Sequence, residues 1–152
     1  GHSMGGMVAS YFNEFLAAQG HATDVITLGS PLQGTTMFDY GIGEAANDME
    51  WQGPFATALV EKMRENRHGV RYYHIAFRND NLVVPFEAAL TGADPSREIV
   101  LDDVGHLSTL FSRCVAEIIV TWLAELHSPL EGRNLCQIDL GSPAPDTRCA
   151  VQ

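Results

Sequence analysis

The sequence lacks the features that identify a membrane-spanning or a nucleic-acid-binding protein. It contains no apolar run of the roughly 18 to 20 residues that a helix needs to cross a bilayer. Its 9 lysine and arginine residues are outnumbered by 19 aspartate and glutamate residues, for a formal net charge of −10. Because nucleic acids and anionic membrane surfaces attract basic patches, this charge argues against both as partners. At 152 residues and 45% hydrophobic, the chain can form one globular domain or part of a larger one.

Cysteine is also scarce, with three residues in the chain. Cys114 lies in an apolar helical pattern and is predicted to be a small core residue. Cys136 and Cys149 lie in a loop-like segment and could pair with each other. This usage leaves the compartment, cytoplasmic or secreted, undecided. No pattern indicates a cofactor, and we expect neither a cofactor nor a metal.

Hydrophobic periodicity predicts the order helix, strand, helix, strand, strand, helix. Continuous apolar runs bounded by turn residues predict strands at 24–28, 71–77 and 98–101. The second helix is predicted to begin near Pro54, and the first follows Ser3. The apolar residues at helical spacing in the first helix are Met4, Met7, Val8, Tyr11, Phe12, Phe15 and Leu16. The order predicts an α/β fold with a parallel sheet and flanking helices.

One broad apolar stripe predicts the last helix. Its members are Leu107, Leu110, Phe111, Cys114, Val115, Ile118, Ile119, Trp122, Leu123 and Leu126. Residues 128–152 show little periodicity and are predicted to form an irregular tail. The domain is therefore expected to cover residues 1–127.

The chain opens with Gly1-His2-Ser3-Met4-Gly5-Gly6, which contains the pattern G-x-S-x-G. This pattern marks a sharp turn from a strand into a helix that exposes a serine hydroxyl. Glycines are expected on both sides of the serine because the strained turn leaves no room for larger side chains. A glycine-rich segment with a serine that caps the helix is the alternative interpretation.

A serine hydroxyl becomes nucleophilic when a base takes its proton, and an acid must orient that base. Among the six histidines, His106 is the candidate base because it follows a predicted strand and precedes the last helix. His2 adjoins Ser3 and is interpreted as an orienting residue or a turn filler. The other histidines lie at helix ends or inside a strand and are interpreted as solvated, capping or core residues: His21, His68, His74 and His127.

The candidate acid is Asp80, which follows the strand at 71–77 in a polar loop. It lies between the serine and the histidine in the order Ser, Asp, His that one class of hydrolases uses. The alternative for Asp80 is a turn aspartate that bonds its own backbone. Asp102 and Asp103 are the other candidates, but they precede His106 so closely that backbone geometry would hardly let either reach its ring.

Four segments together resemble the C-terminal half of bacterial lipases and esterases of the α/β-hydrolase superfamily, over about residues 1–126. They are Gly1 to Gly6, Thr27-Leu28-Gly29-Ser30-Pro31-Leu32-Gln33-Gly34-Thr35, Asp80 with Val83-Val84-Pro85, and Val104-Gly105-His106-Leu107. Many relatives have histidine where this chain has Leu32, so the subfamily stays open. The resemblance implies that Ser3 is the nucleophile, Asp80 the acid and His106 the base. It also implies that the Met4 N–H is one donor of the oxyanion hole.

The implied function is hydrolysis of a carboxylic ester, of a lipid or another small acyl compound, through an acyl-enzyme. The strand before the serine and the second oxyanion donor would precede Gly1, so we expect the chain to be truncated and inactive in isolation. An acyltransferase, a thioesterase and a non-catalytic binding module on the same fold are the alternatives. Substrate chain length and oligomeric state stay open.

Residues 36–53 are expected to form a short cap over the active site, because they leave the sheet where Ser3 emerges. Met37, Phe38 and Trp51 are the candidate substrate-binding residues in this segment. The alternative is an ordinary surface excursion whose aromatic side chains tuck into the core.

Overall fold

The computed structural model describes residues 1–16, 22–40 and 44–127. The strands are β1 (Asp24–Leu28), β2 (Arg71–Phe77) and β3 (Glu98–Leu101). The α-helices are α1 (Met4–Tyr11), α2 (Glu44–Asn47), α3 (Pro54–Glu65) and α4 (Arg113–His127). A π-helical segment, Phe12–Leu16, continues α1, and short 3-10 helices cover Phe38–Tyr40, Phe86–Ala89, Pro95–Arg97 and Ser108–Phe111.

The three strands form one parallel sheet in the order β1-β2-β3. Val25 is paired with Tyr72, and Ile75 is paired with both Leu28 and Ile99. The predicted bounds of all three strands are confirmed, and so is an α/β fold with a parallel sheet and helices. Because the strands are parallel, their carboxyl ends meet at one edge, where loops can bring distant side chains together.

Residues 1–3 lie beside β1 on the edge opposite β2. The Leu28 N–H donates to Gly1 O (2.9 Å), and the Ser3 N–H donates to Leu28 O (3.0 Å). His2 and Leu28 form a parallel bridge. The order across the sheet is therefore residues 1–3, then β1, β2 and β3, all in the same direction.

The core lies on both faces of the sheet. On one face, α1 and α3 pack on β1 and β2 around Met7, Val25, Leu59, Met63 and Tyr72. On the other face, α4 packs on β2 and β3; the buried residues there include Tyr73, Ile75, Phe77, Val115 and Trp122. Successive residues of a strand point to opposite faces, which is why Tyr72 and Tyr73 enter different clusters. Among the described residues, no helix combines the length and the apolar character needed to cross a membrane.

The last helix is shorter than the sequence predicts. Ser112 has an extended backbone (φ −81°, ψ 118°), so the 3-10 helix Ser108–Phe111 ends there and α4 begins at Arg113. The stripe therefore splits. Leu107, Leu110 and Phe111 are exposed at 66%, 55% and 90% of their surface, and their prediction as part of the packed face is wrong.

The three cysteines differ in what the structure describes of them. Cys114 is disulfide-bonded, so its interpretation as a simple core cysteine is wrong, although it does pack against the α4 face of the sheet. Cys136 and Cys149, which were expected to be able to pair with each other, lie in 128–152. This tail is outside the described residues, and its irregular character stays a prediction.

Candidate catalytic site

Ser3, Asp80 and His106 each follow the carboxyl end of a parallel segment. Ser3 ends the segment beside β1, Asp80 lies three residues after β2, and His106 lies five residues after β3. The Asp80 N–H donates to Phe77 O (3.0 Å), which folds the loop back over the end of β2. The fold therefore brings all three loops to one edge of the sheet.

Ser3 lies in a strained turn. Its backbone has φ 54° and ψ −132°, a conformation that residues other than glycine rarely adopt and that costs about 1–3 kcal/mol. A Cβ on Gly1 would lie 2.6 Å from Gly5 O and from the Gly6 backbone, so the turn closes tightly behind the serine. The Ser3 side chain makes no capping hydrogen bond to α1, so the interpretation as a capping serine is wrong.

The second glycine that the fold requires is Gly6, one residue beyond the pattern. A Cβ on Gly6 would lie 2.0 Å from Ser30 Oγ, whereas a Cβ on Gly5 would meet nothing within 4 Å. The buried face of α1 is accordingly built from Gly6, Met7 and Ser10. The expectation that Gly5 is needed for lack of space is wrong, because that side of the turn faces open space.

Gly6→Ala is expected to destabilise the fold by about 1–3 kcal/mol because the methyl group collides with Ser30. Gly5→Ala is the matched control and is expected to raise the free energy of unfolding by up to about 1 kcal/mol, since alanine favours helix over glycine. Urea unfolding followed by circular dichroism measures both. Equal effects at the two positions would contradict the packing of α1 against Ser30.

Asp80 and His106 form a buried hydrogen-bonded pair. His106 Nδ1 lies 2.7 Å from Asp80 Oδ2. The His106 side chain is 3% exposed and the Asp80 side chain 1% exposed. Asp80 Oδ1 accepts the Leu82 N–H (2.8 Å) and the Val83 N–H (2.9 Å). Both carboxylate oxygens are therefore satisfied, and the oxygen that faces the imidazole is fixed.

The pKa of Asp80 lies below the ordinary value for aspartate. Burial alone raises it, but the His106 hydrogen bond and the N–H groups of Val83 and Leu82 favour the charged form more strongly. Because the folded-state pKa is lowered, the stability contributed by this carboxylate is present above its unfolded-state pKa. It is lost as the pH falls through the folded-state value. Asp80 is therefore charged at neutral pH.

Two supports of the Asp80 loop lie in the segment after β1. Gly29 has φ +50°, and a Cβ there would lie 3.1 Å from Asp80 Oδ2. Thr35 Oγ1 donates to Leu82 O (2.8 Å) and accepts the Val84 N–H (3.0 Å). Nothing in the sequence pattern predicts this role for either residue, although both lie in the segment from Thr27 to Thr35.

The alternative acids contact other groups. Asp102 Oδ1 accepts from Arg78 Nε (2.6 Å), and Asn79 Nδ2 donates to the Asp102 carbonyl. Asp103 is exposed. The structure thus brings Asp80, and neither of these two carboxylates, to the His106 ring.

The segment 36–53 starts beside the Asp80 loop and then returns to the core. The Thr36 N–H donates to Val84 O (2.9 Å), and Met37 and Phe38 are half-buried. Trp51 packs against the buried cluster of Ala76, Val83, Ala88 and Ala89. A cavity of about 360 Å³ lies elsewhere, between α3 and residues 33 and 52, and none of Ser3, Asp80 or His106 lines it. Substrate contact by Met37, Phe38 and Trp51 stays a prediction. The packing of Trp51 against the core argues against such a contact for this residue.

His74 is a core histidine, as its position in a strand predicts. It is 1% exposed, its Nδ1 lies 2.8 Å from Thr27 Oγ1, and its Nε2 has no partner among the described residues. Burial lowers the pKa of His74 to about 4, against a smaller opposing effect of Glu98. His74 is therefore neutral in the folded protein at neutral pH.

Stability is expected to fall between about pH 6.5 and pH 4, because the unfolded chain protonates His74 in this range and the folded protein does not. At pH 5 the loss from His74 amounts to about 2 kcal/mol relative to pH 7. His74→Asn keeps an acceptor for Thr27 and should remove this part of the loss. Urea unfolding at pH 7 and pH 5 measures the free energy of unfolding at each pH. An equal loss between the two pH values in the wild type and in His74→Asn would contradict the prediction.

Groups of three side chains that could hold a metal ion do not occur within residues 1–16, 22–40 and 44–127. Comparison of the sequence with models of known protein families and with curated proteins gives no match.

Proposed function

We propose that the protein is a serine hydrolase that cleaves carboxylic esters, with Ser3 as nucleophile, His106 as base and Asp80 as the orienting acid. The observation that carries this proposal is the buried hydrogen bond between His106 Nδ1 and Asp80 Oδ2 (2.7 Å). The loop that holds His106 also contacts the strained Ser3 turn, through the side chain of His2. A neutral imidazole held at Nδ1 by a carboxylate presents Nε2 as a base.

In the proposed reaction, His106 Nε2 takes the Ser3 proton while Ser3 Oγ attacks the ester carbonyl carbon. The resulting oxyanion would accept the Met4 N–H, which lies in the first turn of α1, where the helix itself provides no acceptor. The imidazolium then donates its proton to the leaving alcohol. Water repeats the sequence on the acyl-enzyme and releases the acid and free Ser3.

We also propose that the chain is the C-terminal part of an α/β-hydrolase catalytic domain. The support is the order of four parallel segments across the sheet: residues 1–3, β1, β2 and β3. Ser3 lies at the end of the first segment, Asp80 in the loop after β2 and His106 in the loop after β3.

Labelling with a fluorophosphonate, which reacts with activated serines, tests the assignment. Peptide mapping of the labelled full-length protein should place the adduct on Ser3, and Ser3→Ala should abolish labelling. An adduct on Ser30 or Ser108, or no adduct on any serine, would contradict the proposal. Hydrolysis that is diverted to a new ester by an added alcohol would instead indicate an acyltransferase with the same three residues.

A further inference from the structure

The side chain of His2 connects the turn that holds Ser3 to the loop that holds His106. His2 Nε2 lies 2.9 Å from the backbone oxygen of His106, a residue 104 positions away. Because a carbonyl oxygen can only accept, the proton of this bond is on His2 Nε2.

The two rings also touch. The centroids of the His2 and His106 imidazoles are 4.7 Å apart and their planes are inclined by 48°. The backbone of His2 is itself fixed by its parallel bridge to Leu28 at the end of β1. His2 is therefore a rigid support, with one bond to the His106 backbone and one contact with the His106 ring.

We propose that His2 is a positioning residue that sets the distance and angle between His106 and Ser3; this inference rests on the proposed function. Asp80 contacts the His106 ring through Nδ1, and this bond alone does not set the position of the ring relative to Ser3. His2 adds a contact with the ring and a hydrogen bond to the His106 backbone. Since His2 is covalently joined to Ser3, the same residue fixes the base relative to the nucleophile.

Two substitutions separate the hydrogen bond from simple filling of space. His2→Phe keeps a ring beside His106 but removes the donor, whereas the amide nitrogen of His2→Gln can reach the position of Nε2 and donate to His106 O. Displacing a catalytic group slightly costs up to about 100-fold in rate, so His2→Phe is expected to lower kcat about 10- to 100-fold. KM for a soluble p-nitrophenyl ester should change little, and His2→Gln should restore most of kcat.

A second measurement does not depend on activity. The proton between His106 Nδ1 and Asp80 should give a downfield nuclear magnetic resonance signal that exchanges slowly with water in the wild type and in His2→Gln. Exchange should be faster in His2→Phe. His68→Phe, a substitution in the loop between α3 and β2, is the control and should leave both kcat and the exchange rate unchanged. If His2→Phe does not fold, His2→Ala replaces it.

Lower kcat and faster exchange in His2→Phe, both reversed in His2→Gln, support the inference. Wild-type kcat and unchanged exchange in His2→Phe overturn it, and so does a loss of kcat that His2→Gln fails to reverse. Failure of the fluorophosphonate to label Ser3 in the wild type overturns the proposed function instead. In that case the exchange rate still decides whether His2 holds the His106 ring.

Discussion

Ser3→Ala is expected to lower kcat for a soluble p-nitrophenyl ester by about six orders of magnitude in the full-length protein. The methyl group cannot form the acyl-enzyme, and the residual rate comes from binding and from oxyanion stabilisation alone. Stability should not fall, because the Ser3 side chain makes no capping bond that the substitution removes. Steady-state kinetics on protein free of contaminating esterase measures the loss.

Ser30→Ala is the matched control for this substitution. Ser30 follows β1 and is fully buried, and its hydroxyl has no hydrogen-bond partner among the described residues. Removing that hydroxyl should leave kcat nearly unchanged. Full activity in Ser3→Ala together with loss of activity in Ser30→Ala would reject Ser3 as the nucleophile.

The sheet could be predicted from the sequence because each strand is a short apolar run between turn residues. Such runs suit strands that are covered on both faces, and the two core clusters on either side of β2 provide that cover. The parallel direction of β1 and β2 followed from the helix predicted between them, since a parallel pair needs a crossover. No helix was predicted between β2 and β3, and the structure has only short 3-10 helices there. Local patterns and overall topology agree in this part of the chain.

The sequence did not reveal the break in the last helix. Leu107, Leu110 and Phe111 continue the apolar spacing of α4, so periodicity alone joins them to it. The break depends on the loop geometry: Ser108 Oγ accepts the Gly105 N–H (2.9 Å), and the Thr109 N–H donates to Gly105 O (3.2 Å). These bonds close a separate short turn that contains His106.

The three candidate residues could be singled out from the sequence, but the residues that hold them in place could not. The chain order of Ser3, Asp80 and His106 singled them out, because loops at the carboxyl ends of parallel strands converge. The contact of His2 with His106 and the approach of Gly6 to Ser30 join residues far apart in sequence. Spacing carries no information about such contacts, so the requirement for Gly6 rather than Gly5 emerged only from the three-dimensional structure.

The geometry around Asp80 predicts what an amide would do in its place. Leu82 N–H and Val83 N–H both need an acceptor at the Oδ1 position. In Asp80→Asn the amide oxygen must therefore stay there, and the NH₂ group must face His106 Nδ1. An NH₂ group donates, so Nδ1 would have to accept and the His106 proton would move to Nε2. The imidazole would then be unable to take a proton from Ser3.

Asp80→Asn is accordingly expected to lower kcat by about 10⁴-fold without loss of the fold, the size of effect produced by the wrong histidine tautomer. Nitrogen-15 chemical shifts of His106 should report a proton on Nε2 in the variant and on Nδ1 in the wild type. Asp102→Asn is the control, because it removes a partly exposed ion pair with Arg78, which contributes about 0–1 kcal/mol. A loss of kcat in Asp102→Asn as large as that in Asp80→Asn would mean that the orienting acid is misassigned.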